Sequence, residues 1–597
     1  IANRVIQAQD YSKAQPDPFV AYAAADFLNR FADSLDRDSQ RILAAYIEPT
    51  LAASTRRGVP PQNINHPLMW MGALLFGGQA LGRREYQAAG ARMFGEFGRL
   101  ISTTGCPSEF NSPTYTPISM SCLAQISTSV RDPVLTAAAR AIEQRFWLTQ
   151  AGFWHAPTGL PAGPFSRAYA ADSTGQASNL LLLWYLVLGD SVLLDPLEHV
   201  YKPDPHLDYH QGGRVFLQGQ YAAIALADYH PPPMIPQLAT GRRLPVTVRS
   251  STFVGDFQES GSGIWYRGGR RALTSYQHPV YSLGTASQMY ANGNHTDNLF
   301  ATWLARQPRE PRNVRTLFAR YTQEGDVPGA HGATFLADRG RSVTAQQANR
   351  AVLVGNPKIQ TWRGVTGFRQ SILLPEHFSR VEAITVDGRT LSALPYEGTW
   401  PNWVILRDGD CRIALHPLGA PLNPSSNVCR IERVNRYLVV HFYGYRGPAR
   451  DFTAAECAAL RSGFFLELST GNGDRAEPAS VTVTDRVTGN RREVICRGED
   501  FRLEVVYNAL HDDLVRTAPA ADCEFFESPD IRGGVSEMKL GEFAIVPESE
   551  RLYWAALDPR GGLWIYPQQE ANGGFQVRRG SLSQRLAPRG LEPVHWR

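Results

Sequence analysis

Near residue 240 the chain changes its hydrophobic period, and nothing else in the sequence constrains the fold as strongly. Before that point apolar residues recur at helical spacing, in segments of about 15–18 residues joined by short loops. The segments are 18–34, 38–54, 66–82, 84–101, 114–130, 133–148 and 173–189. In 84–101, Tyr86, Ala89, Met93, Phe94, Phe97 and Leu100 make one apolar stripe, as a helix with one buried face requires. The stretch 66–82 is apolar on nearly every side and is expected to be buried all round. Buried inner helices alternating with amphipathic outer ones are what a toroid of antiparallel helix pairs needs. The segments are too few to close a full ring, so an incomplete (α/α) toroid is expected, with a plain helical bundle as the alternative.

The stretch His230-Pro-Pro-Pro-Met-Ile-Pro236 reads as an interdomain linker, and after about residue 245 short strands with tight turns take over. Trp403 to Leu406 and Cys411 to Leu415 read as a hairpin, as do Val481 to Val487 and Arg491 to Cys496. Tyr437 to Tyr443, Phe501 to Tyr507 and Gly562 to Tyr566 are further strands. So long a run of this pattern predicts a large antiparallel β-sandwich. The expected organisation is α+β and multidomain: a helical toroid over 1–240, a sandwich over 241–470, and a C-terminal sheet extension of it over 471–597. No repeat of fixed period is present, which argues against a propeller.

Composition removes several function classes. A net charge of +4 over 597 residues does not suggest a nucleic-acid binder. The most apolar run, Leu180 to Leu188, is far short of the ~20 residues that a membrane span needs. The seven cysteines form no CxxC and no metal-ligand spacing, so neither a metal nor a cofactor is expected. Cys411 and Cys429 fall near strands of one region and are expected to pair. The first residue is Ile1 rather than Met. A cleaved signal peptide would explain that, as would a trimmed chain, and a secreted or periplasmic location is expected. No Walker loop, helix-opening GxGxxG, HExxH or GxSxG stands in a convincing context.

Chemistry-bearing residues gather in a few stiff loops. In Gly105 to Tyr115, side chains of an extended segment alternate, so Glu109, Asn111 and Tyr115 project the same way. Pro107 and Pro113 stiffen the backbone around them. Helix capping by Ser112 with Pro113 in the first turn is a compatible structural reading. Before helix 173–189, the run Gly163 to Asp172 carries Arg167, Tyr169 and Asp172. Capping accounts for Asp172 by itself, but not for an Arg beside a Tyr after a Gly-Pro turn. Arg suits bidentate binding of a carboxylate, and a Tyr beside a cation can move a proton. Asn65 and His66 stand at the mouth of the buried helix, where a cap at Asn65 is the simpler reading. His210 ends the helical region within Asp208 to Gly213. In the β region, Gln277, His278 and Tyr281 are placed to lean over the toroid cleft. The turn Asn292 to Asp297, with His295, reads as surface.

A helical toroid followed by an antiparallel sandwich resembles the heparinase II/III, chondroitin and alginate lyase group of polysaccharide lyases. The strand region Tyr281-Ser-Leu-Gly-Thr-Ala-Ser287 followed by Asn292 to Asp297 also resembles the central β region of heparinase-like chains. Asn111, Arg167, Tyr169 and His210 match the residue types of that group. The Asn-His pair on the inner helix loop of many members is replaced here by Asn111-Ser112-Pro113. The resemblance implies β-elimination on a uronic-acid-containing glycan, with an acidic polysaccharide or oligosaccharide as partner. Asn111 and Arg167 would then neutralise the uronate. Tyr169 would serve as base or acid, with His210 or Tyr281 as the second group. Glu109, Tyr115, Asn65, His66, Asp172, Gln277 and His278 would contact substrate. Two rival readings stand beside it. One is an inverting glycoside hydrolase with Glu109 as acid and Asp172 as base. The other is a non-catalytic glycan binder that uses 12 Trp and 23 Tyr for stacking.

Overall fold

The computed structural model of the chain describes residues 2–8, 17–60, 63–102, 106–169, 178–202, 213–254, 257–258, 265–266, 269–290, 296–328, 336, 338–471, 478–508, 514–518, 525–527, 537–540, 542–548, 553–557, 562–567, 573–590 and 592–596. Helices fill the first part and end at Ile235–Thr240. Apart from the short pair Trp154–His155 and Leu160–Pro161, strands begin at Val246, and the one α-helix described after them is the single turn-and-a-half Ala454–Ala459.

The helices begin where local chemistry starts them. Asp17, Asp36 and Asp132 each accept from backbone N–H groups at the start of Pro18–Phe31, Arg37–Ser54 and Pro133–Gly152. Two of these helices carry Pro in the first turn, where its missing N–H costs nothing. Asn65–Ala80 is buried on thirteen of its sixteen residues, and Tyr115–Ser129 is buried from Tyr115 to Ser127. These two and Asn179–Leu188 pack in succession as an inner row. The amphipathic helices Pro18–Phe31, Arg84–Ser102 and Pro133–Gly152 flank them on the outside. Close approach needs small residues: a Cβ at Gly72 would lie 2.6 Å from Tyr22, and one at Gly77 would lie 2.4 Å from Leu51.

The end of the helical region differs from expectation. Helices Pro196–Tyr201 and Gly213–Ala225 follow the inner row, so Asp208 to Gly213 does not end it. The proline-rich stretch is anchored rather than a free linker. His230 donates its backbone N–H to Glu143 at 2.7 Å and pairs with it through Nδ1 at 3.0 Å. Trp147 Nε1 donates to the same buried carboxylate.

The strands form two large sheets. A thirteen-stranded sheet runs from Tyr396–Gly398 at one edge to Val594–Trp596 at the other, and a seven-stranded sheet includes Gly340–Gln347, Arg350–Pro357 and Arg461–Thr470. Trp303, Leu353, Ile372, Leu415, Val440 and Phe464 fill one core between them. Arg315 on the larger sheet pairs with Asp408 on the smaller at 2.6 Å, and Trp303 Nε1 donates to the same carboxylate. The hairpins expected at 403–415 and 481–496 form as Val404–Asp408 with Cys411–Ala420, and Thr482–Thr488 with Arg491–Arg497. The C-terminal strands do more than extend the sandwich. Phe525–Glu527 pairs in parallel with Val246–Val254, which brings Tyr566 into the helical core. Cys411 and Cys429 do not pair. They lie on different sheets as free, buried thiols, and burial raises both, Cys429 to about 12.

Two loops of the helical part bond to strands and loops of the β part through their backbones. Cys106 N–H donates to Ser251 O at 2.6 Å, and Phe165 and Asp297 exchange two backbone hydrogen bonds at 3.0 Å. Gly284 abuts the Gly163–Pro164 peptide so closely that a Cβ there would lie 2.0 Å from Gly163 O. Gly284→Ala is therefore expected to destabilise the chain by about 1–3 kcal/mol or more. Gly98→Ala, on a helix with nothing within 4 Å, is expected to be neutral or to stabilise by up to about 1 kcal/mol. Denaturant midpoints of the two variants test the contrast.

Candidate active site

The inner helices begin at one end of the helical region, and hydrogen bonds join their starts. Ser112 Oγ accepts from Tyr115 N–H at 3.0 Å, but the helix begins at Tyr115 rather than Pro113, and its N-cap position, Thr114, makes no side-chain cap bond. Leu180 N–H donates to Pro113 O at 2.9 Å, and Asn179 Nδ2 donates to Thr114 O at 3.1 Å. The start of Asn65–Ala80 is held differently from the expected cap. Its N-cap position is Ile64, which makes no side-chain cap bond. Instead Glu109 Oε2 accepts from the N–H groups of Ile64 and Asn65 at 3.1 and 2.9 Å. Asn65 Nδ2 donates to both carboxylate oxygens. A carboxylate at a helix N-terminus satisfies orphan donors and suits the dipole there.

Arg167 completes this anchor. Its Nη1 donates to Glu109 Oε1 at 2.8 Å, and its Nη2 donates to the Tyr115 hydroxyl at 3.2 Å. The guanidinium lies 3.9 Å from the centre of the Tyr115 ring. The Tyr115 and Tyr169 hydroxyls are 3.1 Å apart. Glu109, Asn65, Arg167, Tyr115 and Tyr169 thus form one connected group. Burial would lower Arg167, but the charge of Glu109 and the phenols of Tyr115 and Tyr290 hold it above its ordinary value. Burial raises Tyr115 well above the usual phenol range, against the opposing charge of Arg167. Tyr115 is therefore a neutral phenol at physiological pH. His66, half-buried one residue into the inner helix, is lowered chiefly by burial. The charge of Glu109 opposes that shift and the charge of Arg167 adds to it. Phe19 packs edge-on against its ring at 5.7 Å.

Other expected site residues stand elsewhere or do other work. Asn111 is 1% exposed and lies near the group. Its φ is +47°, and its Nδ2 donates to the carbonyls of Ala162 at 2.7 Å and Pro164 at 3.1 Å. Its amide N–H groups are committed to holding the Gly163 loop, which removes it as a neutraliser of a substrate carboxylate. Tyr281 faces away. Side chains alternate along a strand, and Gly284 faces Gly163 while Tyr281 and Leu283 enter the sandwich core. His278 stacks flat on Tyr281 at 4.5 Å, so it goes with it. Gln277 does face the helical part, but its Nε2 donates to Gly152 O at 2.8 Å at the end of another helix. His210, Asp172, Asn292 and His295 lie outside the described residues. Asp297, expected at the surface, is fully buried and pairs with Arg320. Tyr290 was missed: it follows a strand end with no pattern to set it apart, and only the fold brings it to Arg167.

The described residues contain no group of three or more His, Cys, Asp or Glu side chains placed to hold a metal ion. Among them no helix is long and apolar enough to cross a membrane.

Residues 6–205 match a family described as Domain of unknown function (DUF8769). No curated protein matches the chain. Among solved structures, the chain is similar to the Streptomyces coelicolor A3 chondroitin AC lyase in complex with chondroitin sulphate, at 12% identity. That match covers 97% of this chain and 81% of the other, with a TM-score of 0.37. It is similar to a chondroitinase AC lyase known from enzyme–oligosaccharide complexes, at 10% identity over 96% of this chain and 84% of the other, with a TM-score of 0.36. The heparan sulfate lyase HepC from Pedobacter heparinus matches at 10% identity over 86% and 79%, with a TM-score of 0.29.

Proposed function

We propose that this chain is a polysaccharide lyase that cleaves a uronic-acid-containing glycan by β-elimination. The observation that carries the reading is the hydrogen-bonded chain from Arg167 through Tyr115 to Tyr169, set where the inner helices begin. Elimination needs one group to remove the C5 proton of the uronate and one to protonate the departing O4. The C5–H electron pair becomes the C4=C5 double bond as the C4–O4 bond breaks. Arg167 occupies one lone pair of the Tyr115 oxygen. With Tyr115 donating onward, Tyr169 keeps its own proton to give to O4. His66, kept neutral by burial, is the matching base. The positive ends of the inner helices Tyr115–Ser129 and Asn179–Leu188 favour an acidic sugar and the negative charge that develops on its carboxylate.

The hydrolase reading needs Glu109 as proton donor. Its two oxygens instead accept from four N–H groups, those of Ile64, Asn65 backbone, Asn65 side chain and Arg167, and the residue is 1% exposed. Such a side chain has its acceptor sites committed to N–H donors and no face to offer a substrate.

A panel of acidic polysaccharides, followed for new absorbance at about 235 nm from the unsaturated uronate, tests the reaction. Saturated reducing sugars as the only products would sink it. The base assignment makes a separate prediction. Because His66 is lowered, it stays neutral as the pH falls through imidazole's ordinary value of about 6.5. The acid limb of kcat/KM is therefore expected below that pH, and His66→Ala is expected to abolish the limb along with most turnover. A limb above it in the pH–rate profile would remove His66 from the role.

A further inference from the structure

The residues Tyr276, His278 and Tyr281, which do not reach the candidate active site, line a polar cavity of about 450 Å³ on the other side of their strands. It lies at a junction of three sheets. Tyr276, His278 and Tyr281 come from the hairpin of the thirteen-stranded sheet. The turn Gln347–Arg350 and strand Arg461–Thr470 come from the seven-stranded sheet. Asp500 comes from the turn between Arg491–Arg497 and Arg502–Asn508 of a four-stranded sheet.

The wall chemistry is specific. One side is aromatic, with Tyr281 stacked on His278 at 4.5 Å and 6.3 Å from Tyr276. The other side is polar and prearranged. Arg350, its side chain 16% exposed, is fixed by Glu467 at 2.7 Å and Asp500 at 3.1 Å. The turn before it is set by Ala348 at φ +49° and by Asn349 Nδ2 donating to Leu468 O at 2.6 Å. Gln347 Oε1 accepts from Arg502 N–H. Among the described residues, Gln347 Nε2, Asn349 Oδ1 and Ser469 Oγ make no protein hydrogen bond. They are a donor, an acceptor and a hydroxyl that can be either. Aromatic rings together with uncommitted donors and acceptors fit a pyranose ring, which has an apolar C–H face and a rim of hydroxyls.

Charge narrows the ligand. Arg350 is already paired with two carboxylates, Glu467 and Asp500, so it has no spare charge for an acidic sugar. A uronate or sulphate would add charge of the same sign, whereas a hydroxyl can donate to the carboxylates. We propose that this cavity is a second, non-catalytic site that binds a neutral hexose or N-acetylhexosamine unit of a glycan. The assignment rests on the chemistry of the cavity and not on the lyase reading. If both hold, the site would retain a polymer through its neutral sugars while the other face of the sheet works on its acidic ones.

Saturation-transfer NMR on the full chain tests this, with glucose, galactose, mannose, N-acetylglucosamine, N-acetylgalactosamine and glucuronate as probes. At least one neutral sugar is expected to bind, with Kd on the millimolar scale and weakened at least about tenfold in Tyr276→Ala and in Asn349→Ala. Its binding is expected to be unchanged in Tyr169→Phe. Asn349 lies in a turn, so that variant decides the matter if Tyr276→Ala fails to fold. Failure of every neutral sugar to bind, binding that survives Asn349→Ala, or glucuronate binding that Asn349→Ala weakens more than that of any neutral sugar would each overturn the proposal. Sugar binding without elimination products would leave this site standing and remove the lyase reading. Elimination without sugar binding would do the reverse.

Discussion

Tyr169→Phe is expected to lower kcat on an acidic glycan by about 10²–10⁴-fold, the range that a positioned proton donor contributes, with KM little changed. The substitution removes one oxygen and keeps the ring, which packs 6.4 Å from that of Tyr115. The folded state should therefore survive. Arg167 would still donate to Tyr115 at the same place. Only the last group of the chain would be missing, so the loss should fall on the chemical step and not on binding. Tyr115→Phe makes the complementary case. It deprives both Arg167 and Tyr169 of a partner, and it is expected to reduce kcat with some loss of stability as well, because a buried donor is left unpaired. Single-turnover rates beside equilibrium binding separate the two outcomes. Full activity in Tyr169→Phe would remove the phenol from the mechanism.

How far the sequence was legible follows the range of the interactions involved. Helices such as Arg84–Ser102 and hairpins such as Thr482–Thr488 with Arg491–Arg497 are set by periodicity and by turn residues within a few positions, so they read correctly to within a few residues. The bond from Ser112 to the helix start was legible for the same reason, although the N-cap position is Thr114. The start of Asn65–Ala80 was not. Its cap is Glu109, 44 residues further along, and no local pattern announces a partner at that separation. Asn111 was misread by the alternation rule itself. That rule assumes extended backbone, and a residue at φ +47° breaks the alternation and turns its amide to the Gly163 loop. Tyr281 was misplaced because period 2 gives two faces without saying which meets the helices. Gly284 settles that choice, being the residue with no side chain where the Gly163 peptide comes close. Helix Ile235–Thr240 was read as part of a linker because prolines crowd its start, although Pro236 stands in its first turn.

Glu109→Ala is expected to cost about 3–5 kcal/mol of stability, the range for removing one partner from a buried ion pair. The Glu109 side chain is fully buried, and that of Arg167 is 14% exposed. Without the carboxylate, the guanidinium keeps only the Tyr115 hydroxyl among these partners. The N–H groups of Ile64 and Asn65 lose their acceptor at the head of the inner helix. Glu109→Gln should be milder but not silent. The amide oxygen can serve some of the donors, while its NH₂ must face at least one other N–H and supplies no charge to Arg167. Turnover is expected to fall partially, in step with the denaturant midpoint. Replacing the pair together, as Glu109→Leu with Arg167→Met, is expected to recover part of the stability lost in Glu109→Ala, because no charge is then left buried alone. It should recover no activity, because Tyr115 and Tyr169 lose the cation that orients them. The hydrolase reading predicts the opposite pattern for Glu109→Gln: a wild-type midpoint with no turnover. Denaturant titrations run beside product analysis on the same three variants distinguish an anchoring carboxylate from a catalytic acid.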